Sequence, residues 1–119
     1  MQDYIVSAIT KNGAVRVVAA QTAQLCNRAQ EIHKMSPVVL AALGRSLTAS
    51  SMMGSMEKSA DNSVSLQFKG GGPIGNIIAA ADGNGNCRGS VDNPFVDLPL
   101  NSAGKLDVGG AVGREGYLC

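Results

Sequence analysis

The sequence predicts an α+β domain in which strands and helices come in separate runs instead of alternating. Three observations carry that reading. Two short Ile/Val-rich runs flank an Asn-Gly pair near the N-terminus, two segments of helical periodicity follow, and from residue 63 the apolar spacing changes to two.

The first runs are residues 3–9, DYIVSAI, and 14–20, AVRVVAA. Between them TKNG places Asn12 and Gly13 where a hairpin turn needs positive φ, so the two pair antiparallel. Thr22 is the predicted N-cap of a helix over AQLCNRAQEIHK, with Leu25, Ala29 and Ile32 in a stripe at spacings of four and three. A second helix, roughly 37–57, opens at Ser36 with Pro37 at its first position, where the missing N–H is not needed. Its apolar residues, among them Val38, Val39, Leu40, Leu43 and Leu47, run nearly all round, which predicts a helix covered on most sides. One line of it, Ala41, Gly44, Thr48, Ser51 and Ser55, is small throughout and lets another helix or a sheet come close.

Strand SVSLQFK, residues 63–69, alternates Val64, Leu66 and Phe68 with Ser65, Gln67 and Lys69, so one face is wet. IGNIIAAA, residues 74–81, is the next strand, DGNGN a turn at 82–86, and CRGSV, residues 87–91, the third strand. The remainder reads as long ordered loops before a last strand signal, because Val96, Leu98, Leu100, Leu106, Val108 and Val112 punctuate it with buriable side chains.

At 119 residues, with no internal repeat and no linker, the chain is a single domain, residues 1–119. A net charge of +1 provides no field to draw phosphate backbones or anionic lipid, and with aromatics at 3% and no Trp there is no platform for stacking bases. Neither nucleic acid nor membrane is an expected partner. Residues 35–56 are long enough to span a bilayer, but Arg45 near the centre costs about 2.5–3.5 kcal/mol there, and the segment reads as a buried helix. No basic region precedes a long apolar run, so no signal peptide is expected. Cys26, Cys87 and Cys119 are too widely spaced for a disulfide framework or a metal knuckle, which fits reduced thiols in a cytosol.

Four features carry possible chemistry. KGGGPIGN, residues 69–76, contains Gly70, Gly72 and Gly75 in the G-x-G-x-x-G spacing of a dinucleotide cradle. That motif needs a helix to begin at its third glycine, whereas Pro73 sits inside it and NIIAAADGNG follows, so a connection between antiparallel strands is expected. His33 is the only histidine, seven residues from Cys26, about 10.5 Å along a helix axis and too far to share a metal. Its place in a last helical turn suits a structural role. Asp92, Asp97 and Asp107 share the loop-rich region and are expected to bond their own backbone instead of forming an acid–base pair. Met35, Met52, Met53 and Met56 are read as clustering at one end of the second helix, where flexible thioethers suit either gaps in a core or varied apolar partners.

SPVVLAALGRSLTASSMMGSM, LQFKGGGPIGNIIAAADGNGNCRGSVDNP and LPLNSAGKLDVGGAVGREGYL, in that order and spacing, closely resemble the N-terminal domain of the 33 kDa redox-regulated heat-shock chaperones, the HslO family. GRSLTA, GPIGNI, RGSVDNP and GKLDVGGAVG are specific as a set, and the resemblance covers essentially the whole chain. It implies antiparallel sheets stacked with helices, and an ATP-independent holdase of the bacterial cytoplasm that keeps unfolding proteins from aggregating under oxidative stress. It is no enzyme on this reading. The family's zinc sensor, with its Cys-x-Cys and Cys-x-x-Cys pairs, has no counterpart here, so no cofactor and no metal ligand is carried over. The chain reads as that core domain, incomplete at its C-terminal end and without the sensor. An unpaired edge left there favours a homodimer, domain-swapped in form. Composition makes Met52, Met53, Met56, Leu66, Phe68, Ile77 and Ile78 the candidate client-binding residues. Two rival readings are a small nucleotide-binding enzyme using the Gly70–Gly75 loop and an inactive structural fragment.

Overall fold

A computed structural model describes residues 2–114 and 116–118. Strands β1 (Tyr4–Ile9) and β2 (Arg16–Gln21) form a hairpin, helices α1 (Ala23–His33) and α2 (Pro37–Ser55) follow, and then β3 (Ser63–Lys69), β4 (Asn76–Asp82) and β5 (Cys87–Val91). A short helix α3 (Val108–Val112) precedes β6 (Tyr117–Leu118). All pairings are antiparallel: β1 and β2 make a two-stranded sheet, and the second sheet runs β5-β4-β3-β6. This is the α+β arrangement that the order of apolar periods predicts.

Helix α2 is the centre of the molecule. Its Val39, Leu43 and Leu47 join Ile77 and Ala79 of β4 in the main core, with Ile74, Met35 and Ala111. The sheet is small-faced beneath the helix: a Cβ added to Gly89 would stand 3.0 Å from Leu47 Cδ2 and 3.2 Å from Leu43 Cδ1. Leu66 pairs with Ala79 and Phe68 with Ile77, so the inner face follows the alternation in SVSLQFK, while Ser65 is exposed on the other side. The buried hydroxyls of Ser46 and Ser50 are satisfied within α2, since Ser46 Oγ donates to Ala42 O and Ser50 Oγ to Leu47 O, each at 2.9 Å. The small-residue line does admit neighbours. Cys26 Sγ of α1 approaches to 3.0 Å of where a Gly44 Cβ would lie, Thr22 and Thr48 hydroxyls meet at 2.8 Å, and Ser51 Oγ donates to Gly85 O.

Several local expectations are corrected. Thr22 does not cap α1, because its hydroxyl is engaged with Thr48; the Asp3 carboxylate caps instead, accepting from Gln24 N at 3.0 Å and Leu25 N at 2.8 Å. Ser36 does open α2 with Pro37 in the first turn, as expected, while its hydroxyl accepts from Val96 N at 3.1 Å and so ties the late loop to α2. Met35 does not cluster with the other methionines: α2 is 19 residues, about 28 Å long, and Met35 is buried at the opposite end, where the Gln30 amide holds its backbone. Within 92–114, α3 appears where loops are expected. Gly109 and Gly110 are poor helix formers, and the turn exists because Asp107 accepts from Gly110 N and because Ala111 is wholly buried. Cys119 lies outside the described residues.

Candidate functional site

KGGGPIGN connects β3 to β4, with Gly71 and Gly75 at φ of 75° and 81°. Three of its backbone donors are committed: Gly72 N to Val112 O, Ile74 N to Ala111 O and Gly75 N to Gly72 O, each at 3.1 Å. Asn76 N donates to the Asp92 carboxylate at 2.9 Å. A strand, not a helix, follows Gly75, so no helix dipole faces a pyrophosphate, and the N–H groups of Gly72, Ile74, Gly75 and Asn76 are spent within the protein. The glycines serve close packing, because a side chain at Gly70 or Gly72 would run into the backbone of α3.

No other catalytic set assembles among the described residues. Asp92 and Asp107 bond backbone N–H groups, and Asp107 also receives Arg114 at 3.4 Å. His33 closes α1, followed by Lys34 in the left-handed conformation at φ 50°. No group of three or more His, Cys, Asp or Glu among the described residues has the geometry to hold a metal. Cys26 and Cys87 are half-buried thiols. Burial pushes the Cys87 thiol up, with the negative charge of Cys26 and Asp82 adding to it and the Ser50 hydroxyl opposing.

What remains is apolar surface. Met53, Met56 and Ile78 are exposed at 43%, 44% and 41%. The two methionines end α2, whereas Ile78 lies on the outer face of the sheet opposite Gln67 and Ser90, so these three do not form one patch. Met52 is half-buried and lines a groove of about 430 Å3 with Leu40, Ala41, Gly44 and Cys26. Phe68 is half-buried beside the core, lining a recess with Ala42, Ile77 and Val112. Leu66 and Ile77 are core residues, 6% and 1% exposed, because the face of β3 and β4 that carries them lies under α2. Neither has surface to offer a partner in this fold.

The seven candidates omit the largest run of exposed apolar side chains, which is on the hairpin. Tyr4, Val6 and Val17 are exposed at 54%, 52% and 58%, with Ile9 and Val15 beyond them, and Phe95 and Leu100 stand out from the late loop. The signal was present in the sequence. DYIVSAI and RVVAA are apolar at consecutive positions, yet a two-stranded ribbon can bury only one face against a single neighbour.

With that geometry in view, comparison with known proteins identifies the lineage. The family model described as Hsp33 protein matches residues 3–119. The chain belongs to the Hsp33 family. Among the most similar relatives are the 33 kDa chaperonins of Acetivibrio thermocellus, 49% identical, and Caldanaerobacter subterraneus subsp. tengcongensis, 51% identical. Each alignment takes in 99% of this chain and 40% of the relative. A crystal structure of the 33 kDa chaperonin from Thermotoga maritima superposes with a TM-score of 0.86 at 26% identity, over 97% of this chain and 43% of that one. The 119 residues thus span about two-fifths of the Hsp33 chaperonins they match, and the two sheets and three helices described above are an Hsp33 fold.

Proposed function

We propose that these 119 residues are the core of an ATP-independent holdase, which binds unfolding proteins through apolar surface and keeps them from aggregating. Membership of the Hsp33 family carries the reading. The chemistry fits it: the glycine loop spends the N–H groups of Gly72, Ile74 and Gly75 within the protein and leads into a strand, Asp92 and Asp107 hold backbone, and large apolar side chains stand in solvent. Action under oxidative stress, in the cytoplasm of a bacterium, belongs to the same proposal, as do unfolded or misfolded client proteins as partners. The residues act by binding, with no cofactor of their own. Met53, Met56 and Ile78 remain client-contact candidates, with Met52 and Phe68 at groove margins. A homodimer formed by strand exchange at an open edge of the four-stranded sheet completes the reading.

The test is suppression of aggregation of a chemically unfolded client by the 119-residue chain, in reducing and in oxidising buffer. Suppression in both is expected, without a large gain on adding peroxide, since Cys26 and Cys87 do not have the spacing of the sensor. Failure in both sinks the holdase reading. A rise in melting temperature with ATP or NAD would favour the nucleotide-binding rival, because a ligand bound only by the native state stabilises it.

A further inference from the structure

The outer face of the β1–β2 hairpin is apolar, uncharged and uncovered. Residues directly opposite in an antiparallel pair share a face, and the register sets Tyr4, Val6 and Ala8 opposite Gln21, Ala19 and Val17. Tyr4, Val6, Ala8, Val17 and Ala19 are all exposed. The other face is the one that packs: Ile5, Val18 and Ala20 are half-buried, and Ile5 reaches the Gly85 turn. Arg16 stands opposite Ile9 and so also belongs to that inner face. Strand β1 has β2 as its only partner strand among the described residues, and β2 is the strand that meets α2. Among the described residues the outer edge of β1 is therefore a row of backbone donors and acceptors without a neighbouring strand.

The size of the face decides what it can hold. Six residues at about 3.3 Å each make it about 20 Å long, and two strands make it about 10 Å wide, or about 200 Å2. Two copies packed face to face would bury about 400 Å2, well short of the roughly 1,200 Å2 at which stable interfaces begin. A second copy is not held by this face alone. A single extended segment uses both features at once: its backbone pairs with the edge of β1 whatever its sequence, and its alternate side chains continue the apolar face.

We infer that the hairpin is a docking site for an extended, uncharged, β-prone segment of an unfolding polypeptide, added as a strand along β1. This rests on the holdase reading and says where the client sits. The experiment titrates the 15N-labelled 119-residue chain with a soluble peptide of alternating Thr and Val, and repeats it with the Val6→Thr/Val17→Thr double variant and with Phe95→Thr, which removes an apolar side chain 74% exposed on the late loop. The largest amide shifts are expected within Tyr4–Ile9. The hairpin variant, which keeps β-branched shape at exposed positions, should bind about tenfold more weakly at unchanged melting temperature, and Phe95→Thr should bind as the parent does. Shifts confined to the end of α2 or to the Ile78 face, or no shifts, overturn the inference. So does a dimer, seen by sedimentation, that the hairpin variant abolishes, since the occupant is then a second copy. If the chain suppresses client aggregation while the hairpin stays silent, the docking site falls and the holdase reading stands. If the peptide binds along β1 and aggregation is not suppressed, the docking site stands and the holdase reading falls.

Discussion

Replacing Gly54 with Ala should destabilise this protein, although the same change in an ordinary helix stabilises it. Gly54 lies in the last turn of α2, where Ala would normally gain up to about 1 kcal/mol. Here a Cβ would collide with the carbonyl oxygen of Asp82 and stand 3.0 Å from Ala81 Cβ, both on β4. Asp82 ends β4, and its backbone is held by pairing with Ser63 and by the bond from Asp82 N to Asn86 O, so helix and strand must separate, an overpacking cost of about 1–3 kcal/mol. The net loss of about 1–2 kcal/mol corresponds to roughly 4–8 °C in melting temperature for a domain of this size. Gly44→Ala, ten residues earlier in α2, is the internal control. Its nearest neighbour is the end of the Cys26 side chain at 3.0 Å, which can turn aside, so that variant should melt at or above the parent. Calorimetry or circular dichroism on the three proteins decides the matter. A Gly54→Ala protein that melts no lower than the parent would refute the close contact between α2 and β4 on which the core is built.

Asp3 tethers the hairpin to α1 through two backbone N–H groups, so Asp3→Ala should cost about 1 kcal/mol, roughly 4 °C, while Asp3→Asn should recover much of it because its amide oxygen still accepts. Equal melting of parent and Asp3→Ala would show that the cap contributes nothing. For Cys87 the folded-state pKa is raised, so the folded protein holds the proton more tightly than the unfolded chain does. The resulting stability is complete below the unfolded value, near 9.0, and is lost as pH rises through the folded value. Melting temperature followed from pH 7 to above pH 9 should therefore fall less steeply in Cys87→Ala than in the parent, and parallel curves would contradict the burial that causes the shift.

Element type and order were legible from residues because they depend on local chemistry. Period two in SVSLQFK and CRGSV matches β3 and β5 to the residue, Asn12-Gly13 places the hairpin turn, and Pro37 starts α2. The refusal of KGGGPIGN as a phosphate cradle was legible too, because Pro73 and the short run after Gly75 leave no room for a helix. The small line on α2 correctly announced a close neighbour without saying which. The cap of α1 was misread because Thr22 and Asp3 both have an oxygen fit for the task, and only the fold decides that Asp3, just ahead of β1, reaches α1 while Thr22 turns to Thr48.

The candidate site divides along the same line. Composition and period identify which side chains are apolar and which lie on a common strand face, so Leu66, Phe68 and Ile77 were grouped with Ile78 by sequence. Burial is a property of pairs of elements. Once α2 lies on the face shared by Leu66 and Ile77, both are lost to any partner, while Ile78, one residue away, is left in water. For the hairpin the dependence runs the other way. Its residues are as apolar as a core strand's, and only the tertiary arrangement, in which one ribbon face meets α2 and the Gly85 turn, leaves Tyr4, Val6 and Val17 uncovered. The sequence by itself determined family, element order and the absence of a phosphate cradle, since each depends on neighbouring residues in the chain. Which apolar surface stays exposed was decided only in three dimensions, because solvent is excluded by residues distant in sequence.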